Sequence, residues 1–386
     1  MGKQNFTKSK VLFVTFEYLE NTGGGIGACF NGLVQHLDEN TPFDVLLFDW
    51  HDTNAYFRWI QYVDGSEKVV HEEHYLDFFD DENHLAQYSH IHILHAGEEP
   101  MNIAERVKAN GSPQTLIYSC HSLFKYEQHI RKIPEERVSF EGRMLKQVDV
   151  IHVLNRTSAG WLEESYPDLY QEKTIITIPN GVDIRDVADE EETSEQADTD
   201  TVTIVCMSRW AAGKGIETLI DAAPKIQANR PEVRIIIGGR GGFNEWDEPT
   251  NIYIRFLDQK LEETEATNIT ALGWLEKSEV ETYLKDATLC VLPSEIEYFP
   301  YAFLEPCLQL TPVLCTRLDT IKETFTEGSH FIGFDVGDSD TLAEKLLQAL
   351  NEPEKSQAMV ARAREHICSK YSWASVAQAY TALLYK

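Results

Sequence analysis

Short apolar, β-branched runs alternate with helix-patterned stretches along this chain, and the alternation runs through twice. In the first half the runs fall at residues 11–16, 45–48, 91–94, 115–119, 148–154 and 174–178. In the second they fall at 201–206, 233–238, 289–292 and 312–315. Continuous apolar runs separated by helical stretches predict parallel strands covered on both faces, because each crossover lays a helix against the sheet. The fold class is therefore α/β, with two doubly wound, Rossmann-like parallel-sheet domains. A length of 386 residues is too great for one ordinary core and also argues for two. Between the halves, residues 186–200 are dense in carboxylates and almost without apolar side chains, which predicts a solvated linker. The expected division is 1–185, a linker at 186–200, and 201–370.

Charge and composition narrow the partners. A net charge of −29 argues against nucleic acid and against anionic lipid surfaces, since both need basic faces. No run approaches the roughly 18 apolar residues of a membrane span, so no stable membrane insertion is expected. The N-terminus, Met1-Gly2-Lys3-Gln4-Asn5-Phe6, has no apolar signal core. The seven cysteines are scattered, several in strand-like runs where Cys acts as a small hydrophobe, and this fits a reduced, cytoplasmic setting. The histidines include no His-x-x-x-His or His-Glu-x-x-His, so no metal site is expected. Asp198-Thr199-Asp200 lies in the acidic run, and Asp338-Ser339-Asp340 precedes a helical pattern, where such residues cap.

Several loops after strands carry residues of chemical interest. Gly23-Gly24-Gly25-Ile26-Gly27 follows the first strand and opens a helix, so its amides can approach a ligand or an anion. Its spacing differs from the Gly-x-Gly-x-x-Gly of dinucleotide folds. Ser208-Arg209-Trp210-Ala211-Ala212-Gly213-Lys214-Gly215 follows the first strand of the second half. There Arg209 offers a bidentate phosphate contact and Lys214 a compact positive charge; two solvated surface charges are the plain alternative. Glu297 and Glu305 lie eight residues apart across the start of a helix, in Pro293-Ser294-Glu295-Ile296-Glu297-Tyr298-Phe299-Pro300-Tyr301-Ala302-Phe303-Leu304-Glu305. Eight residues is just over two helical turns, so both carboxylates can point to one side. His121 and, more weakly, His95 end strands, and Gly238-Gly239 follows another. Pro179-Asn180-Gly181-Val182-Asp183 reads as a turn.

In this order the motifs resemble those of the retaining GT-B glycosyltransferases of glycosyltransferase family 4, the glycosyl transferases group 1, to which glycogen synthases are related. The resemblance rests on Arg-x4-Lys-Gly, on Glu-x7-Glu and on Pro-Asn-Gly-Val-Asp, and it spans nearly the whole chain. The chain departs from the family pattern at Ser208, Pro300 and Leu310, where Gly is common, and at Pro306, where Ala is common.

The resemblance implies a GT-B fold, two domains facing across a cleft, and a last helix (371–386) that crosses back to the first. It implies transfer of a hexosyl group from a nucleotide-diphosphate sugar, UDP- or GDP-linked, to a soluble acceptor, with retention and with no cofactor or metal. Arg209, Lys214 and the amides of the loop at Gly24, Gly25, Ile26 and Gly27 would hold the diphosphate, both cations standing exposed in the cleft. Glu297 would orient the sugar, Glu305 bind the ribose, and His121 help position sugar or acceptor. Phe299, Pro300 and Tyr301 would line the donor site, with Gly239 near the base. A homodimer is left open. Two other functions remain: a non-hydrolysing sugar-nucleotide epimerase, and a catalytically silent GT-B partner subunit. The combination of Arg209, Lys214, Glu297 and Glu305 argues against both.

Overall fold

The computed structural model describes residues 10–18, 24–37, 41–49, 56–61, 66–184, 202–240 and 248–385. The acidic run 186–200 and Gly23 lie outside the described residues. The chain forms two compact units. One comprises Met1–His129, Ile133–Gly181 and Trp373–Lys386; the other comprises Ile130–Lys132 and Val182–Ser372.

The first unit is built on β1 (Lys10–Thr15), β2 (Phe43–Asp49), β3 (Tyr56–Gln61), β4 (Ser66–His71), β5 (Tyr88–Ile93), β6 (Thr115–Cys120), β7 (Val150–Val153) and β8 (Thr174–Thr177). Their order in the sheet is β4-β3-β2-β1-β5-β6-β7-β8. Six strands are parallel, but β3 and β4 run antiparallel at one edge. The expected parallel sheet thus carries two antiparallel pairings at its edge. Only residues 50–55 connect β2 to β3, too short a stretch for a crossover helix, so the chain has to turn back.

The second unit carries β9 (Thr203–Met207), β10 (Arg234–Gly238), β11 (Ile269–Ala271), β12 (Leu289–Leu292), β13 (Val313–Thr316) and β14 (Ile332–Phe334). They form a parallel sheet in the order β11-β10-β9-β12-β13-β14. Alternate residues feed two cores. Ile204, Cys206, Leu289 and Val291 enter one, while Val205, Cys290, Leu292 and Cys315 enter the other. The sheet is thus buried on both faces, which is why its strands read as unbroken apolar runs. All seven cysteines are free, and those in the strands pack as small apolar groups.

Both sheets reverse their strand order beside their first strand. From β1 the chain proceeds to β2 on one side and later resumes at β5 on the other; from β9 it proceeds to β10 and later resumes at β12. Open α/β sheets bind ligands outside the strand C-termini at this switch point, where the loops diverge and leave a crevice.

Candidate functional site

At the first switch point, Glu17 follows β1 and turns back onto the helix Gly25–His36. Its Oε2 accepts the Gly27 N–H at 2.8 Å, and its Oε1 lies 3.5 Å from Nε2 of His95, just beyond β5. The Phe16 N–H points to His95 Nδ1 at 3.5 Å. Gly24 is the residue before the helix; a Cβ there would come within 2.8 Å of Glu17 Oε1. Gly25 and Ile26 form the helix start. The first N–H groups of a helix carry partial positive charge, and a carboxylate of this chain already answers it.

His121 follows β6. Its ring stands edge-on to that of His152, with centroids 6.4 Å apart. Burial, then the neighbouring His152 and His95, hold its pKa well below the ordinary imidazole value, so the ring is neutral at pH 7. Behind it runs a buried hydrogen-bond chain. Tyr385 O–H donates to His92 Nδ1 at 2.6 Å, and His92 Nε2–H donates to Ser119 Oγ at 2.7 Å. Ser119 O–H donates to His152 Nδ1 at 2.7 Å, and His152 Nε2–H donates to the Ile178 carbonyl at 2.7 Å. The terminal carbonyl can only accept, and that fixes every proton in the chain.

At the second switch point two loops lie on each other, one after β9 and one after β12. Gly215 makes this close approach possible. Its φ is +62°, and a Cβ would stand 2.1 Å from the Pro293 carbonyl oxygen. The Gly213 carbonyl accepts the Glu295 N–H at 2.8 Å. This brings Lys214 Nζ to 2.7 Å from Glu297 Oε1, and the Ser294 hydroxyl donates to that same oxygen at 2.7 Å. The Lys214 and Glu297 side chains are only 14% and 9% exposed, so Lys214 is not the exposed charge expected of it. Burial lowers its pKa, and the Glu297 carboxylate opposes that shift. Arg209, half-buried, adds to the positive potential on the same loop. Gly239 supports that loop from beneath. With φ +92° it passes so near Ser208 that a Cβ would lie 2.4 Å from the Ser208 oxygen. Its carbonyl accepts the Trp210 N–H at 3.2 Å.

Glu297 lies in the loop and Glu305 in the helix Tyr301–Leu308, so the two do not share one helix. Burial pushes the Glu305 carboxyl up to about 7; Lys277 opposes the shift and Glu281 adds to it. Pro300 is the residue before the helix rather than part of its first turn. The Phe299 ring packs against Tyr301 and Tyr371, with centroids 5.3 and 5.5 Å away. Asp338 caps the helix Ser339–Asn351, accepting the Thr341 N–H at 2.9 Å. Among the described residues no group of three or more His, Cys, Asp or Glu stands together to hold a metal ion, and no helix is long and apolar enough to cross a membrane.

Glu17 and Ser294 are absent from the candidates that the sequence suggests. The available signal was position alone: a carboxylate two residues past a buried strand and before a glycine run, and a serine two residues past another strand.

Two open α/β sheets, each with its loops gathered at its own switch point, are the architecture of the GT-B fold. Residues 187–366 match the family Glycosyl transferases group 1, and the chain carries a domain of that family. One curated relative is a GDP-mannose-dependent monoacylated alpha-(1-6)-phosphatidylinositol monomannoside mannosyltransferase of Corynebacterium glutamicum. It is 27% identical over 299 residues, covering 74% of each chain. Among solved structures, sucrose-phosphate synthase from Thermosynechococcus elongatus superposes with a TM-score of 0.73 at 16% identity, covering 97% of this chain and 98% of that one. The Anabaena protein HepE, in complex with UDP and glucose, gives 0.71 at 16% identity, covering 98% and 100%. The protein is a glycosyltransferase of GT-B fold.

Proposed function

We propose that the protein transfers a hexosyl group from a UDP- or GDP-linked sugar to a soluble acceptor, with retention of anomeric configuration and without a metal ion. One observation carries this reading: Arg209, Lys214 and Glu297 converge at the switch point of the second sheet, within the family domain. As the glycosidic bond breaks, negative charge builds on the diphosphate, and fixed cations in a partly dry loop stabilise it more than water would. Arg209 and the two N–H groups that Lys214 does not give to Glu297 are that charge. The leaving phosphate takes the acceptor's proton on the face it departs from, which preserves configuration. Glu297 orients the sugar, Glu305 meets the ribose, and neutral His121 positions sugar or acceptor.

The donor class draws on the Corynebacterium relative, named for GDP-mannose, and on HepE, solved with UDP and glucose. The relative's name also carries a lipid acceptor. Against a lipid acceptor here stands the net charge of −29, which an anionic headgroup layer repels. A cytoplasmic setting keeps the seven thiols reduced.

The test is nucleotide release from UDP-glucose and GDP-mannose, with and without soluble polyols or phosphatidylinositol vesicles, repeated in excess EDTA. Release that depends on a soluble acceptor and survives EDTA is expected. Magnesium-reversible loss would refute the metal-free chemistry. Release only with vesicles would move the acceptor to a membrane. Interconversion of the sugars without transfer would favour an epimerase, and no turnover at all a silent subunit.

A further inference from the structure

We propose that Ser294 is a positioning residue that, with Lys214, pins Glu297 through a single oxygen and leaves its other oxygen to accept a hydroxyl of the donor sugar; this rests on the reading of Glu297 as the sugar-orienting carboxylate. Ser294 is fully buried, and its hydroxyl is 2.7 Å from Glu297 Oε1. Lys214 Nζ reaches the same atom at 2.7 Å. Among the described residues neither of these bonds, nor any other, ends on Oε2.

Ser294 is itself held from two sides. Its carbonyl accepts the hydroxyl of Thr316, the buried last residue of β13, and the preceding Pro293 carbonyl is pressed against Gly215. The loops after β9 and β12, braced by the end of β13, therefore fix one carboxylate oxygen.

The asymmetry has chemical consequences. An ionised carboxylate only accepts hydrogen bonds. With Oε1 facing two donors, Oε2 presents an acceptor, and the group it meets must carry O–H or N–H. In Glu297→Gln the amide oxygen has to face Lys214 and Ser294, because both are donors. The amide NH2 then stands where Oε2 was, and the site offers a donor to a hydroxyl it formerly accepted from. Lys214 belongs to the proposed diphosphate loop and touches the carboxylate, so orientation of the sugar is tied to the presence of that cation.

Ser294→Ala removes one of the two bonds that orient Glu297 and leaves the cations in place. Nucleotide release from UDP-glucose or GDP-mannose should fall about 10- to 100-fold, the range of one hydrogen bond to a charged group. Affinity for free UDP or GDP, measured by calorimetry, should stay within about twofold. Ser294→Thr, which keeps the hydroxyl, should recover part of the rate. In the Glu297→Gln background the serine substitution should cost little more, since Ser294 acts only through Glu297. Wild-type turnover in Ser294→Ala overturns the assignment, as does an equally large loss in the Glu297→Gln background. Failure of the unaltered protein to release nucleotide from either donor would instead sink the donor reading of the whole site, and the assignment with it.

Discussion

The two switch points use the same backbone device with opposite charge. In each unit a glycine-bearing loop follows the first strand and opens a helix. After β1 the helix start meets a carboxylate, since Glu17 takes the Gly27 N–H at 2.8 Å. After β9 the corresponding loop carries Arg209 and Lys214, and the carboxylate there, Glu297, arrives from another strand. A glycine loop at a helix N-terminus is thus not a phosphate site by itself; the side chain that answers it decides. One of the amides of residues 25–27 is already engaged, which predicts that Arg209 contributes more to holding a diphosphate than they do.

The strongest break of this contrast is Arg209→Ala. Turnover should fall by two or more orders of magnitude, about 3 kcal/mol of lost charge stabilisation. Lys214→Ala should lose as much turnover and also about 2–4 kcal/mol of stability, because it leaves Glu297 buried without its cation. Near-normal rates in both would remove the diphosphate site from the second unit. Glu17→Gln sharpens the comparison from the other side. UDP or GDP affinity should stay within about twofold if the first loop holds no diphosphate. A marked gain in affinity would mean that Glu17 had been competing with the nucleotide for the same N–H.

A second contrast lies between two carboxyls that burial pushes up to about 7. Glu141, in the first unit, accepts the Phe124 N–H at 2.6 Å, the Lys125 N–H at 3.1 Å and the Tyr166 hydroxyl at 2.9 Å. Glu305, in the second, is raised by burial with only Lys277 opposing. A raised folded-state pKa means that the folded protein holds the proton more tightly than the unfolded chain. The associated stability is present below the unfolded value near 4.5 and is lost as pH rises through about 7. Glu305→Gln should therefore exceed the unaltered protein at pH 8 by about 1–3 kcal/mol and match it near pH 4. Glu141→Gln should not gain at pH 8, because an amide cannot accept all three donors through both of its atoms. Urea unfolding of both variants across this range checks the pair, and a pH-independent Glu305→Gln difference would contradict it.

What the sequence made legible follows the same lines. Strands such as β9 and β12 were readable because an unbroken apolar run has few other uses. The β3–β4 hairpin was not, since Phe57, Arg58, Trp59 and Ile60 mix buried and half-buried positions without a clean alternation. Arg209, Lys214, Glu297 and Glu305 stood out by local spacing along the chain. That Lys214 and Glu297 touch, 83 positions apart, depends on Gly215 lying against the Pro293 carbonyl, a contact that no local pattern encodes. Ser294 and Glu17 gain their meaning only from partners brought by other strands.

The smallest effect concerns how two comparable helices end. The helix Glu98–Ala109 follows β5, and the helix Tyr301–Leu308 follows β12, each on the far side of its switch point. The first is closed by Gly111 at φ +62°, and the second by Leu310 at φ +59°. The left-handed region is open to glycine and strained for a side chain whose Cβ crowds the following carbonyl. Leu310 is 41% exposed, so removing its side chain forfeits little burial. Leu310→Gly should therefore stabilise the protein by about 0.5–1 kcal/mol, the relief of backbone strain exceeding the extra freedom given to the unfolded chain. At Gly111 a Cβ would meet nothing within 4 Å, so Gly111→Ala isolates the same backbone term and should destabilise by about 1 kcal/mol. Opposite signs in chemical denaturation support the comparison. A destabilising Leu310→Gly would mean that the leucine's packing outweighs its strain, and that the helix leading from the Glu297 loop is anchored through its last side chain rather than through its backbone.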